Sequence, residues 1–199
     1  SRIDAFAVLH RDHATQLERM LAVPTGRFHR IGAGYREDLF FAPASAPPPS
    51  LLYVGKYSAA KGVPWLLDAA GRLSSSVPGL ELHVAGSGAG AEAEALRKRM
   101  TAMAPVVTLH GQLDQDALAA LMRRCTVGVL PSFYEGVPLV LVEALACGCR
   151  IVSTDLPGVR WELAPAMGEA LVTVPLPRLR SVDVPEPDDL PAFVDSLAD

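Results

Sequence analysis

The chain has 199 residues, 50% of them hydrophobic, and a formal net charge of -4. That length suits one large domain, or a domain with a fragment of another, and it can bury a sizeable core. The charge excludes a general nucleic-acid binder, which needs a concentrated positive patch, and no apolar run is long and charge-free enough to span a bilayer.

From the N-terminus, Ile3 to Leu9 reads as a short strand and Asp12 to Leu21 as a helical stretch. Arg27 to Ile31 reads as a further short strand. Gly32-Ala33-Gly34 is a flexible break, and Phe40 to Ser50 is a proline-rich connector better suited to spacing than to folding. Residues 1–49 therefore read as the tail of something larger, leading into a domain over 50–199. The chain opens on Ser1 rather than Met, and no secretory signal is visible, so an N-terminal part is expected to be missing.

Within 50–199 short apolar runs alternate with helical spacing. The strands are Leu51–Gly55, Leu80–Ala85, Val106–Leu109, Val127–Leu130, Arg150–Thr154 and Ala170–Val174. The intervening helices are Val63–Leu73, Ala91–Met103, Asp116–Arg124, Pro138–Cys147 and Val159–Leu163, with Asp188–Leu197 last. This alternation predicts an α/β fold, a doubly wound parallel sheet covered on both faces. Ligands in such folds sit beyond the carboxyl ends of the strands, so the loops 55–62, 86–90, 110–114, 131–137 and 154–158 are the candidate site elements.

Lysine is scarce: Lys56, Lys61 and Lys98 are all there is, and two of the three share the loop Gly55–Gly62. Ammonium groups on flexible stems beside a helix start suit a diphosphate, although solvated surface lysines are the ordinary alternative. Gly86-Ser87-Gly88-Ala89-Gly90 lacks the G-x-G-x-x-G spacing, and no acidic residue ends the next strand, so a nicotinamide site is rejected. Asp114-Gln115-Asp116 has the look of a metal motif, but carboxylates at a helix start cap free N–H groups. Cys125, Cys147 and Cys149 are odd in number and lie in apolar segments, as buried reduced thiols suited to the cytosol; no metal site is expected. Of the scattered histidines, only His110 stands at a strand end within reach of the proposed cleft.

From Pro138 to Cys147 the one charged side chain is Glu143, and Glu135 stands eight residues before it in the preceding loop. An isolated carboxylate in an apolar helix is expected to have a hydrogen-bonding partner. Paired carboxylates can act as acid and base in glycoside hydrolysis. Their placement, one in a loop and one in a helix, favours instead hydrogen bonds to a bound sugar or ribose. The bland alternative is a surface Glu135 with Glu143 bridged to an arginine.

Taken together, these elements resemble the C-terminal half of a GT-B glycosyltransferase of family 4, the group 1 glycosyltransferases. The resemblance runs from Gly55-Lys56 and Lys61-Gly62, through Val84–Gly88 and Val107–Gly111, to Leu130–Gly148 and Ser153–Gly158. It covers about residues 24–174, and the Glu135/Glu143 spacing matches the family's E-x7-E motif. It implies a Rossmann-like half of a GT-B fold: 50–199 would bind the donor nucleotide sugar, and 1–49 would be a remnant of the acceptor domain with the interdomain linker. The implied reaction is retaining transfer from a UDP- or GDP-type sugar to an unknown acceptor, a glycan, lipid or small molecule, without a metal or other cofactor.

Under the same resemblance, Lys56, Lys61 and Glu135 would be catalytic. The two lysines would hold the diphosphate, Glu143 the ribose, and Glu135 the donor sugar. Gly55, Gly86, Gly111, Gly136 and Val137 would line the donor site. Lys56 stands where the family more often has arginine, and Pro138 where it often has glycine. The acceptor domain would be supplied in cis, so the chain alone is expected to bind donor without completing transfer. Any membrane association would reside mostly in that other domain. A non-catalytic nucleotide-sugar-binding or interaction module with the same fold is the alternative.

Overall fold

A computed structural model describes residues 3–9, 11–22 and 24–199. His10 lies outside the described residues, as does the side chain of His13. The elements of the main body are β3 (Ser50–Val54), α2 (Val63–Ser76), β4 (Glu81–Ala85), α3 (Gly90–Ala102), β5 (Val107–Gly111), α4 (Gln115–Met122), β6 (Val127–Leu130), α5 (Leu139–Ala146), β7 (Arg150–Thr154), α6 (Ala164–Met167), β8 (Leu171–Val174) and α7 (Leu190–Ala198). They follow β1 (Phe6–Val8), α1 (Arg11–Leu21) and β2 (Phe28–Arg30). The six strands of the main sheet are all parallel, in the order β5-β4-β3-β6-β7-β8.

The doubly wound sheet is therefore as the alternation predicts. Its central strands are buried on both faces, with Leu52, Tyr53, Leu82, Val84 and Ile151 at most 2% exposed, which is why they read as apolar runs rather than as an alternating pattern. The helices present narrow apolar stripes to the sheet. In α2 the buried residues are Val63, Leu66, Leu67, Ala69 and Ala70, and in α3 they are Ala93, Leu96 and Met100. Asp114 starts α4 as a capping residue, accepting a 2.8 Å hydrogen bond from the Ala117 N–H.

The first three strands wind outward from β3 in one direction. The chain then returns through α4 and adds β6 on the other side of β3. The strand order thus reverses between β3 and β6, and in sheets of this kind ligands gather beyond the carboxyl ends of the strands at such a reversal.

Three features depart from the sequence reading. The connector does more than space: Phe40 is buried in the main core, and Arg123 donates to the Leu39 carbonyl at 2.6 Å while its guanidinium stacks 4.5 Å from the Phe41 ring. A small hairpin, β9 (Leu179–Ser181) and β10 (Val184–Pro185), occupies a stretch where no strand is predicted. Residues Val159–Leu163 form a π-helical turn. The parallel pair β1–β2 is a separate two-stranded sheet, closed by the stacked rings of Phe6 and Phe28 and tied to the main body by Arg30 and Glu162 at 3.0 Å. Among the described residues no helix is long and apolar enough to cross a membrane.

Candidate functional site

The loop after β3 is held by its own backbone. The fully buried Tyr53 donates its hydroxyl to the Lys56 carbonyl at 2.8 Å. Burial, reinforced by the charge of Glu135, pushes the Tyr53 phenol far above its usual range, so it remains a donor. Gly55 N–H donates to Ala85 O at 3.0 Å, Tyr57 N–H to Ser87 O at 3.1 Å, and Gly86 N–H to Gly111 O at 2.7 Å. The ends of β3, β4 and β5 are thereby stitched together. Gly86 has φ of +129°, and a Cβ there would fall 2.0 Å from Gly55 O, so only glycine fits.

Between these strand ends lies a cavity of about 520 Å³. Gly55, Lys56 and Gly86 line it, as do Ser87, Gly88 and Gln112. Lys61, Glu135, Gly136, Val137, Glu143 and Gly111 are not among its lining residues. Lys56 is exposed there, so its ammonium is free to meet a ligand.

On the other side of the loop, β3 and β6 meet through their connections. Phe133 N–H donates to Ala60 O at 3.0 Å, joining the two loops across the switch point. Lys61 Nζ lies 2.6 Å from Glu135 Oε1 and 3.4 Å from the Tyr134 carbonyl. The side chains of this pair are 30% and 18% exposed. Gly62 (φ +72°) closes the turn, where a Cβ would lie 2.0 Å from Pro131 O. Gly136 is braced from the next loop, since a Cβ on Gly158 would fall 1.7 Å from its carbonyl oxygen.

Glu143 sits on α5, half-buried. Its side chain has neither an arginine nor any other hydrogen-bonding partner among the described residues, so the arginine bridge of the bland alternative is absent. Burial alone raises its carboxyl above the ordinary carboxylate value. No side chain caps the start of α5, whose preceding residue is Pro138.

His110 is turned to another purpose. Its Nε2 is 3.1 Å from His83 Nδ1, and His83 Nε2 is 3.3 Å from Glu81, away from the cavity. The three thiols are buried and free. No group of three or more His, Cys, Asp or Glu among the described residues could hold a metal ion.

Sequence reasoning missed Tyr53, whose apolar-run position hides a hydroxyl that anchors the lysine loop. It also missed Ser132 and Thr154, whose fully buried hydroxyls have no hydrogen-bond partner among the described residues. Their positions, Ser132 just beyond the end of β6 and Thr154 at the last residue of β7, were the available signal.

A family model described as "Glycosyl transferases group 1" matches residues 48–175. The chain is 34% identical over 125 residues to the glycogen synthase of Mycobacterium tuberculosis, covering 63% of this chain and 28% of that protein. It is 34% identical over 142 residues to the D-inositol 3-phosphate glycosyltransferase of Arthrobacter sp. (strain FB24), covering 69% of this chain and 29% of that one. Among solved structures, the pneumococcal O-GlcNAc transferase GtfA in complex with UDP and GlcNAc aligns with a TM-score of 0.73 at 21% identity, covering 98% of this chain and 38% of that one. The sucrose-phosphate synthase of Thermosynechococcus elongatus aligns with a TM-score of 0.67 at 24% identity, covering 99% of this chain and 52% of that one. These two show the shared fold. With the family match spanning most of the main sheet, the chain belongs to the group 1 glycosyltransferases.

Proposed function

We propose that residues 50–199 bind the nucleotide-diphosphate-sugar donor of a retaining glycosyltransferase. The observation that carries this reading is the Lys61–Glu135 pair, a cation and a carboxylate brought together from the two loops that flank the switch point of the sheet. A donor needs both kinds of group side by side: positive charge for the diphosphate and an acceptor for sugar hydroxyls.

In this reading Lys61 and the exposed Lys56 hold the diphosphate from opposite sides of one loop. They stabilise the negative charge that accumulates on the departing nucleotide, an electrostatic task. The uncapped start of α5 adds unsatisfied N–H groups and a favourable dipole. The unpartnered Glu143 accepts hydrogen bonds from the ribose hydroxyls, and Glu135 from the donor sugar. Gly136 and Val137 offer backbone amides beside that sugar. Gly55, Gly86 and Gly111 allow close approach of base and phosphates to the backbone. Positive side chains do the work of a cation, so no metal is invoked. UDP is the first donor nucleotide to test, because GtfA was solved with it. The acceptor, and a domain that binds it in cis, lie outside the site described.

Calorimetric titration with UDP, GDP, ADP and their sugars tests the proposal. Binding of one diphosphate series is expected; no binding by any of them at millimolar concentration overturns the donor-site assignment.

A further inference from the structure

We infer that Glu92 is a positioning residue for the anion-binding loop, holding the turn that carries Lys61 from outside the loop; this rests on the donor-site reading above. The turn is a single 3-10 turn, Ala59–Lys61. The first N–H groups of such a turn have no partner within it. A serine in the capping position ordinarily supplies one, but Ser58 makes no side-chain capping bond. Glu92 takes its place from 33 residues away: its Oε1 accepts from Ala59 N–H at 2.7 Å. The acceptor is a carboxylate, so the bond is charge-assisted and stronger than a neutral one.

Apart from the Lys61 side chain, which reaches Glu135 and the Tyr134 carbonyl, the other restraints on the turn are backbone bonds. Gly62 N–H donates to Ala59 O at 2.8 Å, and Ala60 O accepts from Phe133 N–H at 3.0 Å. Glu92 is thus the one side chain bonded to the turn's backbone among the described residues. It is itself well placed, in the first turn of α3, where a Cβ on Gly88 would lie 2.7 Å from Ala93 Cβ and 3.1 Å from Tyr57 O. The start of α3 and the lysine loop are in contact, which sets the exposed Glu92 beside the turn. Loss of the carboxylate leaves the Ala59 N–H without its partner and loosens the start of the turn, so that Lys61 Nζ is held less firmly in its place opposite Glu135.

Asp183, on the β9–β10 hairpin, supplies an internal control. It lines the same cavity of about 450 Å³ as Lys56, Ala59 and Glu92 but makes no bond to the turn. A general effect of negative charge near Lys56 would be common to both carboxylates, whereas a capping effect belongs to Glu92 alone.

The test uses the full chain, its Glu92→Ala, Glu92→Gln and Asp183→Asn variants, and whichever of UDP, GDP or ADP the wild type binds best, with the parent nucleoside. Glu92→Ala is expected to speed amide exchange at Ala59 about tenfold and to weaken the diphosphate about tenfold. Its affinity for the nucleoside is expected to be unchanged. Glu92→Gln, which keeps an acceptor oxygen, is expected to restore both to within about threefold of wild type. Asp183→Asn is expected to change nothing by more than about twofold. The inference falls if Glu92→Ala keeps Ala59 protected, weakens nucleoside and diphosphate equally, or is matched by Asp183→Asn. Failure of the wild type to bind any diphosphate overturns the donor-site reading and this inference with it; normal binding by Glu92→Ala overturns this inference alone.

Discussion

Lys61 Nζ stands 2.6 Å from Glu135 Oε1, although the two residues are 74 positions apart. The pair joins the two loops that flank the switch point, and it is partly screened from solvent. Under the proposed donor-site reading, an incoming diphosphate would offer Lys61 a second anion without requiring the loops to separate. In that reading Glu135 would keep lone pairs on both oxygens for sugar hydroxyls.

The two carboxylates should separate by ligand. Every nucleotide carries a ribose, but only the full donor carries the sugar. Glu143→Ala is therefore expected to weaken UDP about tenfold, and Glu135→Ala by no more than about threefold. With the nucleotide sugar both should lose affinity. Calorimetry with UDP alone decides, and equal losses there contradict the assignment of ribose to Glu143.

Glu143 also makes a stability prediction. Burial raises its carboxyl in the folded chain, so the folded state retains a proton that the unfolded state has released. Stability then falls as pH rises from the ordinary carboxylate value through the raised one. At neutral pH the ionised side chain opposes folding of the ligand-free chain. Glu143→Gln should raise the thermal unfolding midpoint at about pH 7, lose that advantage near about pH 3.5, and, keeping one acceptor oxygen, bind nucleotide about threefold more weakly. A variant that is both less stable and weaker at neutral pH contradicts the unpartnered placement.

The His83–His110 pair gives the opposite sign. Burial lowers the pKa of both rings; Glu81 works against the lowering at His83, while Arg124 adds to it, and His83 and Arg124 add to it at His110. The unfolded chain takes up protons that the folded chain refuses, so stability is lost as pH falls through the ordinary histidine range towards the lowered values. Urea unfolding at about pH 7.5 and about pH 5.5 should show this loss, and the double variant His83→Gln/His110→Gln should show a smaller one. An unchanged pH dependence in the double variant removes the pair as its source.

Gly158→Ala tests the bracing of the loop that carries Gly136. The backbone at Gly158 is helical (φ -64°), so alanine is locally acceptable. Its Cβ, however, would meet Gly136 O at 1.7 Å. Overpacking of this kind is expected to cost about 1–3 kcal/mol and to weaken the nucleotide sugar more than the nucleotide, because Gly136 moves. Gly32→Ala, where a Cβ meets nothing within 4 Å, should stay within about 0.5 kcal/mol of wild type in denaturant unfolding.

The strands and helices of the main sheet were legible because each buries a local stripe or run whose period survives in the sequence. The lysines at 56 and 61 stood out because so few others exist, and Glu143 because it interrupts an apolar helix. The β9–β10 hairpin was not legible: strands of three and two residues are too short to express a period. Phe40 was hidden by the prolines around it, which announce a connector and conceal one anchoring ring. Glu92 was invisible for another reason. A glutamate in the first turn of a helix looks like any other until a distant N–H is found against it.

Periodicity and charge scarcity, which are local, already dictate an alternating α/β chain with cations in one loop and carboxylates in and after another. They do not dictate which loops adjoin. That depends on β3 pairing with β6, Leu51 against Val127, through strands equally able by their own pattern to pair elsewhere. Burial of apolar surface is non-directional and favours any compact arrangement. The choice among arrangements comes from close packing and from hydrogen bonds that form only when the whole sheet is assembled. That assembly brings Lys61 to Glu135 and leaves Glu143 without a partner in the chain.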